Sequence, residues 1–420
     1  MMRYLFGLVC ACALGASPLF GCSETGGDGG NGGNGGSGGT GGADQCVGVT
    51  CEDTECRTDG ECDPADGVCD YTLVDDGTAC TDGECLDGVC APAGAFPCTA
   101  EGIRDAIATG GGPHFFACDG STPVVAGEII IDNDVILDGQ GKLTVDGDEQ
   151  SRVFAVPDGV TAELRGFTVT RGAVRGSSGG GIHNRGTLTL VDTTVSRSSA
   201  TCSSSCIGGL GIGGGILNGL EDARLTLVNS TVSGNTASFD GAGVWNSGTM
   251  TVTNSTVSGN STTRSGVGGI YNSGMTVVVN STVSGSNRGG EIGNSGTMTV
   301  KNSLVQGGCS DGVILNLAST GYNIESPGDT CGFDQSTDQP NVSALQLNLG
   351  PLADNGGPTM THKPGAGDFG DESDAIDSVP AEACLDAEGM PLLTDQRGEP
   401  RPAGTESKCD VGSVEVQASN

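Results

Sequence analysis

Residues 243–260 read GVWNSGTMTVTNSTVSGN, and the wording returns as GIYNSGMTVVVNSTVSGS at 269–286 and GIHNRGTLTLVDTTVSRS at 181–198. Each copy holds an Ile or Val, a variable residue and an Asn. A short polar turn follows, then a β-branched stretch alternating with period two, a second Asn or Asp, and T-V-S. Period-two alternation is the pattern of a strand with one buried face. Gly, Thr, Ser, Asn and Val dominate and nothing recurs every 3.6 residues, which excludes a helical repeat.

The tripeptide Ile/Val-x-Asn/Asp serves as a ruler. It falls at Ile130-Ile131-Asp132, Val156-Pro157-Asp158, Ile182-His183-Asn184, Ile216-Leu217-Asn218, Val244-Trp245-Asn246, Ile270-Tyr271-Asn272, Ile292-Gly293-Asn294 and Ile314-Leu315-Asn316, at spacings of 26, 26, 34, 28, 26, 22 and 22. A period in the twenties means stacked coils of strand. A second column of turn residues follows at Gly166, Asp192, Asn229, Asn254, Asn280 and Asn302. Gly, Asn and Asp enter the left-handed backbone region at least cost, so one such residue bends the chain between two short strands. In the first coil this corner falls at Gln140 or one residue to either side, and the last coil, with Ile324 there, does not fit.

The expected fold is all-β: a right-handed parallel β-helix of about eight coils and three strands per coil. Met250 and Val252 point inward. Asn184, Asn218, Asn246, Asn272, Asn294 and Asn316 stack as a ladder of turn residues. A lone coil cannot bury its face, so stability comes from stacking. Residues 98–112 read as an amphipathic capping helix with Thr99 as N-cap, Ile103, Ala106 and Ile107 on one face, and Gly110 as the stop. From LNLGPLADNGGPTMTH onward the repeat is lost, and this stretch is expected to cover the far end.

Composition narrows the partners. The chain has 420 residues, 76 Gly, 4% aromatic residues and net charge −34. So few large side chains suit a thin repetitive core better than one large globule. The charge argues against nucleic acid.

MMRYLFGLVCACALGASPLFGC, residues 1–22, has one early cation, an apolar run and small residues, the form of a secretory signal. LFGC at 19–22 resembles a bacterial lipobox, which implies lipidation of Cys22 and anchoring in a lipid bilayer through its acyl chains. Cleavage without lipidation, leaving Cys22 as a bridge partner, is the alternative. The Gly-rich stretch 26–43 has no side chains to bury and spans about 23 Å as a coil. Ser23 in place of Asp resembles lipoproteins sent to the outer membrane. The expected organisation is a signal peptide at 1–21, lipidated Cys and tether at 22–45, a disulfide-rich module at 46–92, the β-helix at 97–345 and a C-terminal cap at 346–420.

Nineteen cysteines do not suit a reducing compartment. Eight lie between Cys46 and Cys90; the others form local pairs, Cys98/Cys118, Cys202/Cys206, Cys309/Cys331 and Cys384/Cys409. Even counts read as disulfides. Zinc is the rival in the first module, but the module has no His and spacings unlike zinc ligands. Its connectivity is not legible.

CTAEGIRDAIATGGGPHFFAC, the GGGIHNRGTLTL coils, STGYNIES, LGPLADNGGPTMTHK, TDQRGEPRP and CDVGSVE together resemble the choice-of-anchor Q bacterial surface proteins, over about residues 97–416. The resemblance implies a pectin-lyase-like β-helix. It departs from the family where DAIDSV follows an acidic insertion, GDFGDES.

Some enzymes share this fold, with the first strand of each coil lining the cleft, so any chemistry is expected at the variable position. It is read as Ile131, Pro157, His183, Leu217, Trp245, Tyr271, Gly293 and Leu315. A lyase would need calcium-binding carboxylates and a base; a hydrolase would need paired acids. Only His183, Arg185 and Glu291 qualify, on separate coils, so no catalytic residue, metal site or cofactor is expected. VDGDEQ at 145–150 reads either as a calcium loop or as an acidic turn. Trp245 and Tyr271 fall side by side, continued by Leu217 and His183. These four are the candidate ligand residues, suited to stacking on a glycan or peptidoglycan, or else to packing under a neighbouring loop. The expected function is adhesion, glycan binding or envelope structure at the bacterial surface, lipid-anchored in the outer membrane or else secreted. A polysaccharide lyase or glycoside hydrolase is the alternative.

Overall fold

A computed structural model describes residues 45–417 apart from 121–122, 203–209, 288, 315, 366, 368–371 and 405. Cys22, Cys206 and Leu315 lie outside the described residues. Residues 45–49 and 63–68 form a small unit in which Gln45 Nε2 donates to the Ala65 carbonyl, 2.9 Å. Residues 50–62 and 69–417 belong to the second unit, which begins with the antiparallel pair Arg57–Cys62 and Cys69–Leu73 and a three-stranded sheet, Ala79–Cys80, Gly83–Leu86 and Val89–Ala91. Bridges Cys51–Cys69, Cys56–Cys85 and Cys80–Cys90 hold these strands where there is little apolar surface to bury.

Beyond it the chain coils as a right-handed parallel β-helix. Eight first strands stack in one sheet and define about seven turns. The typical coil has strands Val244–Asn246, Thr249–Thr253 and Thr256–Ser258, each paired in parallel with its counterpart one coil on. Four coils add a short fourth strand, among them Ser199–Thr201 and Thr236–Ala237, which the three-strand reading did not contain. A second left-handed corner after the third strand, at Arg171, Arg197, Gly234 or Gly259, bends the chain into it.

The corner between second and third strands is left-handed in every coil where the sequence places Gly, Asp or Asn, with φ from 47° at Asn280 to 59° at Gly166. In the first coil it falls on Gln140 itself (φ 53°) and Gly141. Strand alternation buries Met250 and Val252 completely. Leu188 and Leu190 below them, and Met298 and Val300 above, fill the same columns. Each such side chain contributes about 1.5–3 kcal/mol by leaving water.

The first two coils correct the ruler. Phe154 pairs with Ile182 and Ala155 with His183, and Phe154 also pairs with Ile129. The first strands are therefore Ile129–Ile130 and Phe154–Val156, starting one and two residues earlier than the tripeptides suggest. The outward residues are Ile130, 54% exposed, and Ala155, not Ile131 and Pro157; Ile131 is fully buried. The one-residue slip of the first coil exchanges the faces of its strand and puts Ile131 inside, while the two-residue slip of the second keeps Val156 inside and adds Phe154 to the core.

The last rung is also corrected. Asn294 pairs with Ile314 across a register shift, and Asn316 is exposed, at φ 53°, outside the ladder. Extra residues after Cys309 take up the period, so the tripeptide no longer falls in line.

The helix Ala100–Thr109 covers the first coil. Thr99 Oγ1 accepts from Gly102 N at 3.0 Å, Gly110 (φ 66°) ends it, and Ile103, Ala106 and Ile107 are buried. The Cys98–Cys118 bridge ties its start to the next strand. At the far end Phe333 and Cys331, bridged to Cys309, close the core.

The C-terminal segment packs Leu347, Ala375, Val379 and Val411 with Leu304 and Ile324 of the last coils. It runs along the flank as a strap across four coils. Thr359 Oγ1 donates to the Asn229 carbonyl (2.9 Å), Asn280 Nδ2 to the Leu385 carbonyl (2.8 Å) and Asn302 Nδ2 to the Ala383 carbonyl (2.8 Å). Loss of the repeat shows where coiling stops, not where the remaining chain goes. Strap residues lock onto third-strand hydroxyls: Thr231 Oγ1 donates to the Met360 carbonyl, and Thr256 Oγ1 donates to Gln396 Oε1, both 2.6 Å. Ser258 Oγ and His362 Nε2 are 2.7 Å apart. Arg401 ties strap to coil, bonding Glu415 Oε2 at 3.1 Å and Asn254 Oδ1 at 3.3 Å, with both charged side chains fully buried. The Cys384–Cys409 bridge closes the strap on itself.

Candidate functional site

The first-strand sheet sets Ile130, Ala155, His183, Leu217, Trp245, Tyr271 and Gly293 in one outward row. Beneath it runs the Asn column. Asn184 Nδ2 donates to Asn218 Oδ1 (2.7 Å), Asn218 to Asn246 (2.7 Å), Asn246 to Asn272 (2.8 Å) and Asn272 to Asn294 (2.7 Å). All five are fully buried. Each ladder bond repeats because parallel strands hold the amides one inter-strand spacing apart, about 4.8 Å. The Oδ1 of Asn246 also accepts from Gly248 N (3.1 Å), fixing the turn that aims the next strand. In the first two coils Ile131 and Val156 fill this column, an apolar solution to the same position.

Trp245 and Tyr271 stand side by side, with ring centroids 4.3 Å apart and planes 19° apart. Their facing surfaces are consumed by this stack. Trp245 Nε1 donates to Ser247 Oγ (3.0 Å), and the Tyr271 hydroxyl donates to Ser295 Oγ (3.3 Å). Tyr271 leans over Gly293, where a Cβ would stand 3.0 Å from the ring. Ring edges and hydroxyl, rather than a broad ring face, are presented between coils. Leu217 is 8% exposed: Gly179 and Gly213, at φ 71° and 61°, approach its Cβ so closely that their own Cβ atoms would stand 3.1 and 3.0 Å away. A neighbouring turn thus covers Leu217 but leaves both aromatic side chains half-buried.

His183 lies beside two cations. Burial, then repulsion from Arg152 and Arg185, pushes its pKa down to about 4, with Glu128 opposing, so the imidazole is neutral at neutral pH. Arg152 is held by Glu128, by the Gly179 carbonyl (2.8 Å) and by the Ser178 carbonyl (3.0 Å). Sequence reading missed Glu128 and Arg152 because the ruler set the first two strands late; the signal was present as two charged residues close before the Ile129 and Phe154 strands. Glu291, taken from sequence as flanking this face, is turned inward and 1% exposed. Its Oε1 accepts from Ser286 N at 2.6 Å while Oε2 has no partner, and burial pushes its pKa up to about 7.

The acidic turn at 145–150 is occupied by a guanidinium. Arg171 bonds both oxygens of Asp146, at 2.9 and 2.8 Å from Nε, and lies 3.5 Å from Asp148. Among the described residues the cluster with metal-like spacing is Cys56, Cys80 and Cys90, and all three are disulfide-bonded. Cys202 is also disulfide-bonded.

No protein-family model matches the sequence, and no curated protein matches it. Among solved structures the chain is similar to the crystal structure of pectate lyase Pel9A, at 13% identity over 74% of this chain and 90% of that one, with a TM-score of 0.43. A likeness at that level carries no argument about activity.

Proposed function

We propose that this chain is a lipid-anchored bacterial cell-surface protein of the choice-of-anchor Q type, which holds a β-helix away from the outer membrane for adhesion, glycan binding or envelope structure. The observation that carries the non-catalytic reading is the outward row. Among its described residues, Ile130 to Gly293, there is no carboxylate, and Glu291 faces the core. Glu128, the acid that acts on His183, is ion-paired with Arg152. The disulfides favour export, since such bridges persist in oxidising compartments. Anchoring rests on the lipobox-like LFGC and the Gly-rich stretch behind it.

The half-exposed Trp245–Tyr271 pair supports recognition by ring edges and serine-held polar atoms, a weak mode suited to multivalent contact. Lipidation is tested by feeding a labelled fatty acid to cells expressing wild type or Cys22→Ser. Label and membrane partitioning in the wild type alone support the anchor; equal labelling, or none, defeats it. Titration of glycan and peptidoglycan fragments against wild type and Trp245→Ala tests the row.

One observation favours the alternative, a polysaccharide lyase: a neutral His183 between two guanidiniums resembles a base beside cations able to offset a substrate carboxylate. Formation of unsaturated uronate product, abolished in His183→Ala, would replace the non-catalytic reading.

A further inference from the structure

The third-strand face carries two outward rows, Thr168-Thr194-Thr231-Thr256-Thr282 and Thr170-Ser196-Ser233-Ser258, in unbroken register. From Thr231 onward the strap covers the first row. Before it, both rows are the floor of an open groove of about 910 Å³, walled by Leu352, Pro358 and Met360 of the strap on one side and by Arg171 and Arg197 on the other. We propose that this groove binds a neutral glycan chain lying along the stacking axis. The groove is separate from the aromatic row and does not depend on anchoring.

Backbone pairing, hydroxyl spacing, charge and apolar surface select that ligand. The floor's backbone donors and acceptors are engaged between coils, so an incoming peptide strand would gain no main-chain ladder. What the floor offers is side-chain hydroxyls at about 4.8 Å intervals, matched by a polymer with hydroxyls on every unit. Charge excludes polyanions: Arg171 and Arg197 balance Asp146 and Asp354, and the chain as a whole carries −34. Threonine methyls and Met360, 49% exposed, give sugar C–H faces apolar surface.

Arg197 is the sharpest feature. It sits at φ 51°, a left-handed corner where the next three coils use Gly234, Gly259 and Gly285. It is exposed, and its guanidinium makes no hydrogen bond or ion pair among the described residues. Arg171 holds the same corner one coil earlier (φ 49°) with its guanidinium engaged by Asp146, whereas the Arg197 guanidinium is left to reach a ligand in the groove.

The test is titration of the full-length protein in detergent with neutral hexasaccharides of β-linked glucose, xylose and mannose, with hexagalacturonate, and with an extended threonine-rich peptide. Arg197→Gly relieves the strained corner and keeps the fold, so lost binding in it reports lost contact. The expected result is binding of at least one neutral hexasaccharide, weakened about ten-fold in Arg197→Gly and several-fold in Thr194→Val, and unchanged in Trp245→Ala. Absence of binding to every neutral hexasaccharide overturns the proposal, as does tighter binding of hexagalacturonate or the peptide. Binding lost in Trp245→Ala but kept in Arg197→Gly also overturns it, while supporting the aromatic row.

Discussion

Thr194 and Thr256 occupy the same position of the same T-V-S strand, in register two coils apart. Thr194 faces the open groove and is half-buried; Thr256 is fully buried, with its hydroxyl against Gln396 Oε1 (2.6 Å) and Ser413 Oγ (2.9 Å). Identical wording therefore gives a surface in one half of the β-helix and an internal interface in the other. The difference comes from the C-terminal strap, which lies more than a hundred residues away in sequence.

The strongest way to break this contrast is to detach the strap. Arg401→Ala takes the cation from buried Glu415, whose pKa burial already pushes up to about 7 and which then takes up a proton, and it leaves Asn254 Oδ1 and the Gly412 carbonyl without their donor. A loss of about 3–5 kcal/mol is expected in urea unfolding, with the strap cleaved by protease before the coils. The next largest effect probes a column that the strap does not touch. Asn246→Ala removes the acceptor of Asn218 and Gly248 N and the donor to Asn272 at once, for a loss of about 3 kcal/mol by the same measurement. Equal losses in an otherwise identical variant lacking residues 346–420 would show that ladder and strap are independent.

Glu291→Gln addresses the buried acid. The folded pKa is raised to about 7 from the usual 4.5, so the folded state keeps its proton longer than the unfolded chain. Its stability contribution is therefore full below about pH 4.5 and is lost as pH rises through about 7. The variant should lie about 1 kcal/mol below wild type near pH 4, the penalty for the new amide's unpaired N–H, and exceed it by about 2 kcal/mol at pH 8. Burial also pushes Asp410 up to about 6 and Glu415 up to about 7, so the difference between the two pH curves isolates Glu291. The smallest effects compare the two halves directly. Thr256→Val should cost about 1–2 kcal/mol by leaving Gln396 and Ser413 short of a partner, and Thr194→Val less than about 0.5 kcal/mol. Equal costs would mean that the strap does not dock as described.

The periodic features were legible because they are local. Left-handed corners at Asp192 through Asn302, inward Met250 and Val252, and the capped helix over Ala100–Thr109 each follow from a few neighbouring residues. The candidate row was legible from His183 to Gly293, where the tripeptide matches the strand. It failed at Ile131 and Pro157, where apolar residues replace Asn and the pattern admits more than one register, and at Asn316, where extra residues broke the period.

The sequence by itself determined that this chain coils, where it bends and which side chains alternate inward. Backbone preference and period-two burial act within one coil, and copies of a coil stack alike. Tertiary structure decided what covers each face: the strap over Thr231, Thr256 and Thr282, the turn over Leu217, the rings closed on each other at Trp245 and Tyr271, and Glu291 turned to the core. Those outcomes depend on contacts between segments far apart in the chain, where many outward positions look alike and only packing selects among them.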